Sequence, residues 1–592
     1  MLERAAPDVR VVLRHLNKRF HPRELQEIWK SLAWVPRGAN GWVRPIGIPD
    51  PPFGIEGIGT ASVAPAFPSP WTSEQAGFYW IEPDDVNSTD IANTYGYGGK
   101  PRKTIPTTLP AGSVVKLVGN YTTNHTTPAI TCNGTSGNPV WIRGTDTGTR
   151  PTITAGWYLQ GSYAVLEFVK FSGQSFLYLL APIDHGVWRH SEYDGLSQTP
   201  GTTCCAIGSF AHDANFSDYC VVYDVHIHDN GLPSQPGDPD HHGIKPFTNA
   251  RNLWIVDCNI HDVQGDGVQI DAGNLTNQPD TNHIYIGRNT AATNRQNGYW
   301  CKYAQDVIMS QNIGHHMVAG GTGGGGGLGG WQYDADQVWL LFNLGYSQIF
   351  GMGVGSPNSD FGQKGYVIGN VWYDIHVDPA APNKGICMEL FGALDVQALF
   401  NTCADYDIGI SRNGGSIQKG RYANNIFSER LVAAGGYDII DYFDNANRLY
   451  KNNLYRAPMR VSVAGTTYTT VAALEGALGS RATGNLSADP LFADSVNRNY
   501  HLHTASPCKD AALSEQAFID FMNSYGLSIQ YDRDGLGRPV GPAWDMGAYE
   551  YATPAGSGSL EGRSGVVDKA VSGGCEGVVK LSADASHAKS RS

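Results

Sequence analysis

From about residue 75 onward, apolar and polar positions fall into short β-type runs that end at Gly, Asn or Asp. "LWIVDC" (253–258), "IYIGRN" (284–289), "VIMSQN" (307–312), "VWLLFN" (338–343), "GYVIGN" (365–370) and "VQALFN" (396–401) can be laid over one another, and "RYANN" (421–425) and "LYKNN" (449–453) continue the series. A period of two predicts half-buried β-strands. Leu253, Ile284, Val307, Val338 and Val396 form one inward column, and Ile255, Ile286, Met309, Leu340 and Val367 another. The final residues make a column of Cys258, Asn289, Asn312, Asn343, Asn370, Asn401, Asn425 and Asn453, with gaps of 31, 23, 31, 27, 31, 24 and 28 residues.

A loose period in the twenties to low thirties predicts a solenoid, because no single coil can bury its apolar side alone. Asn stacked at one corner can pass amide hydrogen bonds from coil to coil, and Cys258 should weaken that ladder at its start. Between the inward columns lie Trp254, Tyr285, Ile308, Trp339 and Tyr366, which must point outward. So long an apolar stripe has three open explanations: cover by long loops, a subunit contact, or a sugar-stacking surface.

Composition narrows the class. Among 592 residues there are 72 Gly, 16% charged and 11% aromatic residues, which suits a turn-rich β protein rather than a helical bundle. A formal net charge of −13 argues against nucleic acid as a partner, while leaving room for a local basic strip. The 10 Cys form no CxxC pair and read as buried thiols. No apolar run is long enough for a membrane helix.

Residues 1–45 read as a basic amphipathic segment (Val11, Val12, Leu13, Leu16, Phe20, Leu25, Ile28 and Trp29 on one face) with no recognisable signal peptide. Residues 46–79 read as a Pro/Gly-rich linker, 80–550 as the solenoid, and 551–592 as a small-residue-rich, disordered tail. "GGTGGGGGLGG" (320–330) lacks the Lys-Ser/Thr of a phosphate loop and reads as an insertion between coils.

The chain closes with "ADPLFADSVNRNYHLHTASPCKDAA" and "DRDGLGRPVGPAWDMGAYEY". With the coil pattern, its DPLF, SP-x-x-D and D-x-G-A-Y-E elements resemble the right-handed parallel β-helix proteins, which include pectate-lyase-like enzymes and bacteriophage tailspikes. The resemblance covers about residues 80 to 550. It implies an all-β fold: a right-handed parallel β-helix with a short N-terminal helical segment and a flexible tail. It says little about substrate, since fold does not fix function.

A second strand in several coils begins at Gly: "GIKPF" (243–247), "GVQID" (267–271), "GYWCK" (298–302), "GWQYD" (330–334), "GICME" (385–389) and "GISRN" (409–413). Alternation then aligns Lys245, Gln269, Trp300, Gln332, Cys387 and Ser411 in one outward column. Phe247, Asp271, Lys302, Asp334, Glu389 and Asn413 form the next. Lys302 is expected between Asp271 and Asp334, with Trp300, Lys245, His241, His242 and turn residue Asp266 nearby. A solvated sheet explains alternating charges, since cross-strand pairs contribute about 0.2–1 kcal/mol each. Rings beside charges are also what an oligosaccharide groove requires.

Two reactions suit the set. In β-elimination of a uronate chain, Lys302 or Lys245 removes a proton, with Asp266, Asp271 and Asp334 holding Ca²⁺. In glycoside hydrolysis, two of the carboxylates act as acid and base. The N-x-D, D-D, G-H-G and R-x-K set of polygalacturonase and the YG-x-D-P-H-D signature of alginate epimerases are not found. The expected partner is a polysaccharide, in an extracellular or virion-associated setting. A non-catalytic adhesin or trimeric tailspike is the rival expectation.

Overall fold

The computed structural model describes residues 42–59, 62–146, 148–197, 215–234, 241–318, 326–355, 362–376, 385–391, 393–413, 419–431 and 435–552. The N-terminal helical segment and the tail therefore lie almost wholly outside the described residues. Among those described, strands stack into sheets of 18, 14 and 9 strands. One coil shows the plan. Asn282–Gly287 belongs to the first sheet, Thr290–Ala292 to the second and Tyr299–Lys302 to the third. Gln305–Ser310 then returns to pair in parallel with Asn282–Gly287. Parallel crossovers run right-handed, and the molecule is a right-handed parallel β-helix.

The inward columns hold as expected: Leu253 pairs with Ile284, Ile284 with Val307 and Val307 with Val338. These side chains are at most 3% exposed and belong to one continuous core. The corner between the first and second sheets has a recurrent form. Its residue is left-handed (Asp257, Arg288, Gln311, Phe342, Gly369 and Phe400, φ between +51° and +67°), and the ladder residue follows. The Asn289 backbone N–H donates to Asn312 Oδ1 at 3.0 Å, Asn312 to Asn343 at 2.9 Å, Asn343 to Asn370 at 2.8 Å, and so on to Asn453. Each Asn Nδ2 also donates to a strand carbonyl, as Asn343 does to Met309 at 2.9 Å. A buried corner thereby satisfies its backbone without water.

The ladder stops at Cys258, whose N–H donates to Asn289 Oδ1 but whose thiol cannot continue the series. It gains one rung beyond the sequence reading, Asn485, which is closed by Glu475 of the helix Val471–Leu478.

The outward stripe is covered, by both ends of the chain. Ile48, Phe53 and Ile55 join Trp254, Tyr285, Ile308, Trp339 and Tyr366 in a second apolar cluster, together with Phe518, Phe521, Trp544 and Met546. Residues 46–58, expected as part of a linker, are thus a packed strap: Trp254 Nε1 donates to Pro49 O at 2.8 Å, and Ser310 Oγ to Ile46 O at 2.6 Å. From the other end, the helix Gln516–Tyr525 lays Ala517, Phe518 and Phe521 on the stripe, with Phe521 edge-on to Trp339 at 4.8 Å. Fully burying such a side chain is worth about 1.5–3 kcal/mol, which makes a wet stripe costly. The D-x-G-A-Y-E element fastens this roof: Glu550, 3% exposed, accepts from Arg538 at 2.8 Å and from the Asp545 N–H at 3.0 Å. The seven described cysteines are buried, and no disulfide joins them.

Candidate functional site

The third sheet carries the expected strip, with one register correction. Gln269 pairs with Trp300 and Asp271 with Lys302, as alternation predicts. Lys245 precedes Gln269, since the Gln269 N–H donates to Ile244 O and the Asp271 N–H to Pro246 O. On the next coil, however, Lys302 pairs with Gln332 and Trp300 with Gly330. The strand begins at Gly327, three residues before the Gly330 used to align it. Gln332 therefore takes the place expected for Asp334, and Asp334 lies in the following turn at φ +56°. A whole coil was also missed: Phe350–Val354 stands between Gly327–Gln332 and Ile386–Leu390. Glu389 consequently lies in the column of Trp300, after Gly330 and Gly353, and is 8% exposed. Cys387, expected outward, is buried in the core cluster.

Those glycines shape the strip. A Cβ on Gly330 would sit 2.9 Å from Trp300 Cζ3 and 1.8 Å from Gly353 O, and one on Gly353 would sit 3.4 Å from Trp300 Cη2. The half-buried indole thus lies across two side-chain-free coils. Lys302, also half-buried, makes no side-chain hydrogen bond or ion pair among the described residues, and neither does Lys245, whose Nζ lies 4.5 Å from the Phe247 ring centroid. Asp271 and Lys302 are neighbours but not an ion pair; Asp271 Oδ1 accepts instead from the Gly273 N–H at 2.9 Å. Simple charge alternation does not account for this face.

Beneath it lies Asp266, 1% exposed. Its Oδ1 accepts from the Asn297 N–H and Nδ2, each at 2.9 Å, and its Oδ2 from Gln269 Nε2 at 2.7 Å. Burial pushes its carboxyl up to about 6, against the pull of Lys302 and these hydrogen bonds. His242 is fully buried beside it, its Nδ1 accepting from the Asp266 N–H at 3.0 Å. Burial first, then the charges of Lys245 and Lys302, holds His242 well below the usual imidazole range. His241 is half-buried at the start of the same coil. Gln269 is buried, and its Oε1 has no hydrogen-bond partner among the described residues.

The expected Ca²⁺ set does not assemble. Both oxygens of Asp266 are engaged beneath the face, Asp271 caps Gly273, and Asp334 has moved into a turn. The described groups that bring three such ligand atoms within 4.8 Å of one another are Glu192, Asp194 and His228, and Asp374, His376 and Asp405.

The first of these belongs to a cluster that the sequence reading missed, on the solvent side of the second sheet. The strands "EYD" (192–194), "HIH" (226–228) and "NIH" (259–261) pair in register, with Tyr193, Ile227 and Ile260 inward. Lys170 Nζ lies 3.0 Å from Glu192 and 2.8 Å from Asp194. His228 bonds Asp229 at 2.7 Å and Glu192 at 3.3 Å, while His226 Nε2 faces His261 Nε2 at 2.8 Å. The His228 hydrogen bond, outweighing burial, draws Glu192 down to about 2. The usable signal was a polar–apolar–polar triplet repeated in three successive coils.

No protein-family model and no curated protein sequence matches the chain. Solved structures resemble it at low identity. A GH136 lacto-N-biosidase from Eubacterium ramulus is 12% identical, with 69% of this chain and 67% of that one covered and a TM-score of 0.39. Pectate lyase Pel9A is 13% identical, with 80% and 96% covered and a TM-score of 0.38. The tailspike of E. coli bacteriophage HK620 is 10% identical, with 60% and 71% covered and a TM-score of 0.32. Among the described residues, no helix is long and apolar enough to cross a membrane.

Proposed function

We propose that the third-sheet face from Lys245 to Gln332 binds an acidic polysaccharide and that Lys302 is the base of a β-elimination. The observation that carries this reading is a pair of lysines that have no carboxylate partner among the described residues, beside a half-buried tryptophan, in a chain of net charge −13. Unpaired cations suit the carboxylates of a uronate chain, and Trp300 offers an aromatic surface to a sugar ring. Gln332, half-buried beside Lys302, supplies an amide for hydroxyls, whereas Gln269 is buried and holds Asp266 beneath the face.

In the reaction, Lys245 pairs with the uronate carboxylate and Lys302, acting as the free amine, takes the proton at C5; the C4–C5 double bond forms, the C4–O bond breaks, the leaving oxygen takes a proton from water, and the Lys302 ammonium returns its proton to the resulting hydroxide. Because Asp266, Asp271 and Asp334 do not converge, no step is assigned to Ca²⁺. The hydrolase alternative loses ground for the same reason, as Asp334 no longer faces Asp271. An extracellular or virion-associated setting follows from the substrate class. The tailspike-like alternative, binding without cleavage, keeps the same strip. A trimer of that kind would need a contact other than the apolar stripe, which the chain's own ends cover.

The test is ultraviolet absorbance of unsaturated uronate during incubation with a panel of uronate polysaccharides. A rise that disappears in Lys302→Ala supports elimination at this site. Binding without any rise would remove the catalytic assignment and leave the adhesin reading.

A further inference from the structure

The geometry points to a second, separate site: His226 and His261 on the second sheet form a bis-imidazole site for a tetragonal divalent transition-metal ion, of the Cu²⁺ or Ni²⁺ class. Their Nε2 atoms face each other at 2.8 Å. His261 Nδ1 lies 2.8 Å from Asp262 Oδ2, so its N–H is committed to that carboxylate and its Nε2 presents a lone pair. This is the supporting arrangement that orients metal-bound histidine. With metal–nitrogen bonds of about 2.0 Å, a 2.8 Å separation subtends about 90° at the ion. That is a cis angle of square-planar or octahedral coordination, and it is narrower than the tetrahedral angle preferred by Zn²⁺.

The surroundings favour a cation. Glu192 neighbours His226 on the preceding coil, and Asp194, Asp229 and Asp262 lie around the histidines. Lys170 and His228 occupy the Glu192–Asp194 side of the cluster, and the two Nε2 atoms face each other on the His226–His261 side. His228 is stacked on His226 with ring centroids 4.4 Å apart and so holds that imidazole in place. Without metal, one Nε2 carries the proton that bridges the pair. On binding, that proton moves to His226 Nδ1, so the ring changes tautomer without changing charge, and water fills the remaining positions.

The experiment is a titration of the full chain with Cu²⁺, read by electron paramagnetic resonance and by calorimetry against a competing chelator. The expected result is one site with nitrogen coupling from two imidazoles. His226→Gln and His261→Gln should each lower its affinity by more than the about tenfold cost of removing the supporting carboxylate in Asp262→Ala. His376→Gln should leave it unchanged. Metal-free melting temperatures show whether each variant is folded, and a Cu²⁺-induced rise confined to proteins retaining both histidines gives a second readout. Absence of stoichiometric binding would overturn the assignment. So would an unchanged spectrum in the double variant, loss of the site in His376→Gln, or a clear preference for Zn²⁺ over Cu²⁺ and Ni²⁺.

Discussion

Replacing Asp266 by Asn should stabilise the protein at neutral pH and leave it nearly unchanged in acid. The native carboxyl titrates at about 6 against an ordinary value of 3.8, because burial penalises the charged form. A folded-state value above the unfolded one means that the native protein binds the extra proton between about pH 4 and 6. Its contribution to stability is therefore intact below about pH 4 and falls away as pH rises through 6. Some two pH units at 1.36 kcal/mol each amount to about 3 kcal/mol.

Asparagine keeps the shape without the charge. Its Oδ1 can accept both Asn297 bonds, and its Nδ2 would meet Gln269 after that amide turns to present the Oε1 that now lacks a partner. Urea unfolding followed by tryptophan fluorescence, stepped from about pH 4 to 7, should show Asp266→Asn gaining on the wild type by up to about 3 kcal/mol across that range. His242 and Lys302 border the site and are present in both proteins, so the difference isolates the carboxyl. A difference that is flat with pH, or that favours the wild type as pH rises, would refute the reasoning.

Other changes probe the scaffold and the strip. Asn343→Ala removes the acceptor of the Asn312 N–H in the middle of the ladder, and leaving such a buried donor unpaired should cost about 1–3 kcal/mol in the same unfolding assay. Asp441, buried with Arg448 and the Tyr450 hydroxyl, faces the inside of the coil. Asp441→Ala should cost about 3–5 kcal/mol, because it removes the carboxylate partner of a buried guanidinium. Gly330→Ala should displace Trp300 and lower tryptophan quenching by a bound glycan, since its Cβ would strike Gly353 O at 1.8 Å; Gly353→Ala, with its nearest neighbour at 3.4 Å, should be milder.

The coil plan was legible because alternation and the Asn column both follow from one constraint, a buried corner repeated every coil. The roof over the stripe was not. Its contacts join residues 46–58 and 517–546 to strands hundreds of positions away, and no local period marks such a pairing. The register of the strip follows the alternation as far as Lys302, although Gln269 is buried rather than outward, and then slips. "GLGGWQ" offers several glycines as a strand start, and only packing decides that Trp331 turns inward and Gly330 outward. The coil at 350–354 was missed because "FGMGV" interleaves glycine with apolar residues and carries no polar ending. Asp266 stood out in the sequence as a turn carboxylate, but its depth beneath Gln269 depends on Asn297 from the next coil, which sequence order alone does not bring to it.

The central claim is that Lys245 and Lys302 hold an anionic glycan on the third sheet. It is tested most directly by calorimetric titration of a polyuronate into the wild type and into Lys245→Met/Lys302→Met, at low and at high salt. The account predicts wild-type binding that weakens with salt and is largely lost in the double variant. Equal binding by both proteins, with the same salt dependence, would contradict it.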